Sequence, residues 1–210
     1  MINTPYKLST YLLLILSASV SAESYDDYYA DLNPTSGFYV GFDLAASVAG
    51  EVKAEYKGDR EDFSEDIDAS STAFSIGYRT ESNNRVQLSR SAISIDYDLG
   101  ESDDVTGTEL DFHYVYGEDL VQPYIGFGLG YYTLEDSGDY IEDGKDLTGV
   151  SFQLLGGIKL DVHKNFEFDI SYHVKSLVWE EIMYVDGPDI ETTQITHNYQ
   201  YLNLGAAFKF

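Results

Sequence analysis

The chain has 210 residues, enough for one domain, and its 37 acidic against 12 basic side chains give a formal charge of −25, which excludes a nucleic-acid-binding surface. It has no Cys, so neither a disulfide framework nor a lipidated cysteine anchor is available. Nineteen Tyr and 11 Phe, with only four Pro, suit a strand-rich chain.

Residues 1–22 have the pattern of a secretory signal peptide, with Lys7 as the positive start, an apolar run from Tyr11 to Val20, and Val20-Ser21-Ala22 as a small-residue cleavage site. The run is shorter than the roughly 20 residues that a transmembrane helix needs. Residues 23–36 follow as an acidic periplasmic leader, where Glu23, Asp26, Asp27 and Asp31 stand among Tyr25, Tyr28 and Tyr29.

From residue 37 the pattern changes to period two, the mark of strands with one apolar and one polar face. Residues 37–48 set Phe38, Val40, Phe42, Leu44, Ala46 and Val48 against Tyr39, Gly41, Asp43, Ala45 and Ser47. Seven further segments repeat it, at about 70–79, 85–98, 107–116, 123–134, 148–161, 165–178 and 195–210. In the third, Val86 and Leu88 share one parity and Ile93, Ile95 and Tyr97 the other, which predicts a β-bulge near Ser89 to Ala92 that keeps the apolar face continuous. The connections run long at 49–69, short at 80–84, medium at 99–106, short at 117–122, long at 135–147, short at 162–164 and long at 179–194. Such a rhythm fits an up-and-down barrel with short periplasmic turns and long external loops, and a two-sheet sandwich has no reason for it.

Alternation alone does not say which face is inside. A lipocalin-like barrel hides its apolar face and a membrane barrel exposes it. The polar face here is crowded with Gly and small residues. The only Trp is Trp179, so the lipocalin Gly-x-Trp motif is missing. The chain also stops on an aromatic strand, Asn203-Leu204-Gly205-Ala206-Ala207-Phe208-Lys209-Phe210. Its Asn203, Gly205, Phe208 and Phe210 resemble the outer-membrane assembly signal of bacterial β-barrels. On that ending and the eight-strand pattern, residues 37–210 resemble the small outer-membrane barrel group of the OmpA transmembrane domain, OmpX, Ail-type and opacity-type proteins. The resemblance implies an all-β fold, an eight-stranded antiparallel up-and-down transmembrane β-barrel. Implied with it are a Gram-negative outer membrane, insertion by the barrel-assembly machinery, contact with outer-membrane lipid and lipopolysaccharide, and a monomer. Two departures matter. The chain stops before any peptidoglycan-binding domain of the OmpA type, and Phe208 stands where Ail-type endings have Gly.

The lumen-facing set is then Asp43, Arg79, Arg90, Glu109, Asp111, His113, Lys159, Glu167, Asp169, His173 and Lys175, a charge network filling an interior only wide enough for side chains. Lys159 and Glu167 lie symmetrically about His163 and are expected to face each other across the turn. No catalytic, cofactor or metal residues emerge. The four His, His113, His163, His173 and His197, have no Ser at a deacylase-like spacing, and Ser176 falls on the face opposite His173. The external acidic segments, with Glu51, Glu55, Asp59, Glu61, Asp62, Glu65, Asp66 and Asp68 in the first, are expected to be solvated loops, and Asp139 to Lys145 lacks the spacing of an EF-hand. The function expected is non-enzymatic, envelope-structural or adhesin-like, with a host, phage or matrix ligand at the loops. A narrow pore past Gly126, Gly128 and Gly130 is the alternative.

Overall fold

The computed structural model describes residues 36–57, 61–97, 102–117, 120–135, 146–186 and 189–210. The expected signal peptide, all of the leader but Ser36, and the stretch Asp139 to Lys145 lie outside them, as does Asp59. Nine antiparallel strands run β1 Gly37–Lys57, β2 Phe63–Arg79, β3 Arg85–Tyr97, β4 Ser102–Val115, β5 Val121–Leu134, β6 Leu147–His163, β7 Phe166–Trp179, β8 Ile182–Asp186 and β9 Asp189–Lys209. Sequence neighbours pair in order from β1 to β7, β7 and β8 both pair with β9, and β9 pairs back onto β1, so the sheet closes on itself.

The ninth strand does not add a stave to the wall. Val178 of β7 faces Thr196 and Ile182 of β8 faces Thr193, so β8 runs on from β7 along the same side of β9 after a one-residue slip at Glu180 and Glu181. Residues 179–194, expected as a loop, are therefore mostly hairpin. The expected loop 49–69 is also largely strand, since β1 and β2 extend through it.

Along β1, Phe38, Phe42, Leu44 and Val48 point outward, and Phe74, Ile125 and Leu129 on other strands are 60, 56 and 56 % exposed. The ten steps from Phe38 to Val48 at about 3.3 Å each, tilted by about 40°, span about 25 Å, the height of a lipid-facing band. Another nine, Ala49 to Lys57, stand about 20 Å above it.

A bulge lies where these two zones meet. Ser47 faces Tyr201 but Ala49 faces Gln200, and beyond the slip Val52 and Ala54 are buried while Lys53 and Glu55 are exposed. One extra residue thus turns the apolar stripe of β1 from lipid to lumen. The bulge expected near Ser89 to Ala92 does not form. The β2–β3 and β3–β4 ladders are unbroken, so Ile93 and Ile95 are buried inside and Arg90 is exposed outside. Above the lipid, water surrounds the wall, and the inside is where an isoleucine gains by burial.

Candidate functional site

The lumen has two storeys. In the lower one, level with the lipid band, inward positions carry charge, and outward neighbours cannot neutralise it because they face lipid. Arg85 of β3 makes a two-pronged pair with Glu167 of β7, one arm at 2.6 Å. Lys159 meets Asp169 at 2.9 Å, and Lys175 meets Glu109 at 2.6 Å. Lys175 also donates to the Tyr132 hydroxyl at 2.8 Å, with its ammonium 5.1 Å from that ring's centroid. At the floor, beside the short turns, Asp161 collects Lys209 at 2.6 Å, Arg79 at 3.5 Å and the Gln122 amide at 3.0 Å. Buried charges are tolerated only when paired in this way.

Asp43 and Asp111 are held by amides instead. Asn203 Nδ2 donates to Asp43 at 3.1 Å, and Gln153 Nε2 donates to Asp111 at 2.6 Å. His113 is buried, and its ring lies 5.0 Å from that of Tyr124. His173 reaches Ser171 Oγ at 2.9 Å, and Ser171 also lies 2.8 Å from Asp169 Oδ1. This Ser–His contact has the distance of an activated nucleophile. His173 lines a partly open lumenal cavity of about 60 Å³, room for a few waters, and Ser171 is not part of its lining.

Arg90 is the one member of the expected set that the structure puts elsewhere, on the outer wall, where its guanidinium bonds Thr106 Oγ1 at 3.0 Å and Thr108 Oγ1 at 3.2 Å. The expected Lys159–Glu167 opposition is shifted. Lys159 faces Asp169 and Glu167 faces Asp161, leaving Lys159 and Glu167 as a diagonal pair at 3.8 Å. The cause is the tight turn at Lys164-Asn165, which places the centre of symmetry beyond His163, and the register slip between Asp161 and His163 brings it only part of the way back. Arg85 and Asp161 were missed, although the parity of Val86 and of Lys159 places both inside.

Gly126, Gly128 and Gly130 open no path. A methyl on Gly128 would overlap Asp111 and Gln153, and one on Gly130 would overlap Ser151 and the Tyr132 ring. These glycines are seats for neighbouring side chains. Gly205 does the same for Asp43, while Phe208 and Phe210 face outward with ring centroids 5.3 Å apart.

The upper storey is apolar. Val52, Ile67, Ile93, Ile95, Val105, Leu134, Leu147, Leu177, Trp179, Ile182 and Ile195 form one buried cluster. One polar chain threads it. Trp179 Nε1 donates to His197 Nδ1 at 2.8 Å, so Nε2 carries the ring proton and faces the Tyr97 hydroxyl at 3.3 Å, which donates to Asp103 at 2.9 Å. His197 lies above the lipid band, opposite Val52 and Leu177, and burial holds its imidazole below the ordinary histidine range.

The family model of the outer membrane protein beta-barrel domain matches residues 10–210. Three solved structures are similar in fold. Neisserial surface protein A (NspA) is 20% identical, with 84% of this chain and 100% of that chain covered and a TM-score of 0.47. OprG from Pseudomonas aeruginosa is 14% identical over 85% and 98%, with a TM-score of 0.46. The attachment invasion locus protein Ail of Yersinia pestis is 15% identical over 83% and 99%, with a TM-score of 0.40. No curated protein sequence matches the chain.

Proposed function

We propose, for a chain that belongs to the outer membrane protein beta-barrel domain family, a closed, non-enzymatic barrel that acts at the cell surface. Its work is structural or adhesive, done by the storey that stands above the lipid. The observation that carries this is the filled interior: paired charges below, an apolar core above, and neighbouring side chains over the lumenal glycines. An interior packed in two ways along its length supports a plug over a pore, because a conducting path would need both the ion pairs and the apolar core to part. The Ser171–His173 contact supports no catalysis on a lipid or peptide, since Ser171 stands outside the lining of the lumenal cavity and that cavity, which His173 does line, holds only about 60 Å³.

The signal-peptide pattern of residues 1–22 supports export, and the exposed aromatics at Phe208 and Phe210 support handling by the assembly machinery. The surface role falls to the hairpins β1–β2 and β8–β9, whose described strands reach about 20 Å or more beyond the apolar band. Planar-bilayer recording of the refolded protein tests the plug. No current steps at low voltage are expected, and steady conductance would overturn it. Hydrolysis of phospholipid or lipid A by the purified barrel, lost in His197→Ala, would overturn the non-enzymatic assignment.

A further inference from the structure

The floor of the lumen holds one more cation than its carboxylates match. Arg85 goes to Glu167, Lys159 to Asp169 and Lys209 to Asp161, which leaves Arg79 over. Its Nη1 stops 3.5 Å from Asp161 Oδ2, an oxygen that already accepts from the Gln122 amide at 3.0 Å, and Asp161 Oδ1 is taken by Lys209. The lumenal carboxylates without a cation do not serve it. Asp43 stands six residues up β1 from Gly37, the residue that faces Arg79, about 20 Å along the strand, and Asp111 accepts from the Gln153 amide.

Arg79 and Arg85 face each other directly across the β2–β3 ladder, where like charges repel. Both are enclosed, at 3 and 1 % exposure, so the surrounding solvent does not relieve that repulsion. Arg79 Nε, Arg79 Nη2 and Arg85 Nε are also buried with no acceptor. One N–H on each Nε and two on Nη2 make about four donors, on two facing guanidinium groups, that no protein oxygen takes up. The neighbouring cations Lys159, Lys175 and Lys209 all end on an oxygen.

We infer that Arg79 and Arg85 hold a small monovalent anion of the halide class, chloride in the first instance. Unused donors and one unmatched positive charge together call for an acceptor that carries one negative charge. A water molecule would accept the hydrogen bonds, but it would leave the charge uncompensated and bring two protons that need acceptors of their own. Enclosure sets the size, because guanidinium groups this buried suit a single atom rather than a tetrahedral oxoanion or an organic acid. The anion would turn a repulsive pair into a bridge between β2 and β3 at the floor. This site lies beyond the surface role proposed above and does not depend on it.

The test uses the full refolded barrel. Crystals grown in bromide locate the anion by anomalous scattering, and urea curves are compared in chloride and in gluconate at equal ionic strength, for the wild type, Arg79→Met and, as control, Lys164→Glu on the exposed turn. An anomalous peak beside Arg79 Nη2 and the two Nε atoms is expected, and the wild-type ratio of folded to unfolded protein should rise about tenfold from gluconate to about 0.5 M chloride. Arg79→Met should remove that rise and should be no less stable than the wild type in gluconate, since Asp161 keeps Lys209. Lys164→Glu should keep the rise. Water without anomalous signal at that position, a wild-type curve indifferent to chloride, or an undiminished rise in Arg79→Met would overturn the inference. So would a bromide peak with no chloride dependence, which marks an adventitious ion only. If Arg79→Met does not fold, the bromide crystal and the wild-type chloride titration decide alone. None of these outcomes changes the conductance expected of the plug.

Discussion

The two storeys of the lumen are built on the same eight staves and obey opposite rules. In the lower one the wall is apolar outside and the inside is held by Arg85–Glu167, Lys159–Asp169 and Lys175–Glu109. In the upper one Ile95, Trp179 and Leu177 are buried and the wall faces water with Lys53, Asp68 and Asp96. What separates them is the solvent outside. Surrounded by lipid, a side chain gains nothing by turning inward for being apolar, so the lower storey coheres by hydrogen bonds and ion pairs. Surrounded by water, the upper storey coheres as any soluble barrel does, at about 25 cal/mol for each Å² of apolar surface removed from water.

The sharpest break in this contrast should come from Lys175→Met. It strands Glu109 in the lumen, a loss of about 4 kcal/mol, and adding Glu109→Gln should recover most of it. Urea midpoints for refolding into vesicles measure both. Trp179→Ala should cost about 3 kcal/mol by leaving a cavity in the upper core. Its effect should be confined to that storey: protease sites in the outer hairpins open while the membrane-level wall still shows heat-modifiable migration. Asn83→Ala follows at about 2 kcal/mol, since Asn83 holds a left-handed φ of 62° and donates to Gly117 O and Gln122 Oε1, both at 3.0 Å.

The smallest effect is a pH dependence of the upper storey alone. His197 is buried with its affinity for a proton lowered, so the unfolded chain binds that proton more readily than the folded one. Stability from this group is therefore complete above the ordinary histidine value of about 6.5 and is lost as pH falls from there toward the depressed folded value. Protonation would also remove the acceptor that Trp179 uses. Protease protection of the outer hairpins should decline between about pH 6.5 and pH 5 in the wild type and stay flat in His197→Gln. A decline that persists in His197→Gln would assign it to other groups.

The contrast also explains which parts of this fold could be read in advance. Wherever a strand crosses lipid, alternation identifies both faces, and Asp43, Glu109, Asp111, Lys159, Glu167, Asp169 and Lys175 all point inward as their parity requires. Above the lipid the same period carries the opposite sense. Ile93 and Ile95, assumed to continue the lipid face, demanded a bulge that does not exist, and the error carried Arg90 inward with it. The acidic stretches 49–69 and 179–194 looked like loops because charge usually marks irregular chain. There the described residues are largely strand, and Glu51, Glu55, Asp66 and Asp68 alternate with Val52 and Ile67 on the inside. No local signal tells a period-two segment what surrounds it. The real bulge, at Val48 to Gly50, was hidden among Ala and Gly, where either parity reads equally well.

The seam between β1 and β9 has a kinetic consequence. It joins residues such as Asp43 and Asn203, 160 apart in sequence, and ties Phe210 N to Phe38 O at 3.0 Å. Until the final stretch of polypeptide is delivered, the nascent sheet has two raw margins of unsatisfied amides and carbonyls, each a template for sticking to another copy. Closure of the barrel therefore competes with self-association until β9 has paired with β1, over nearly the whole length of the molecule.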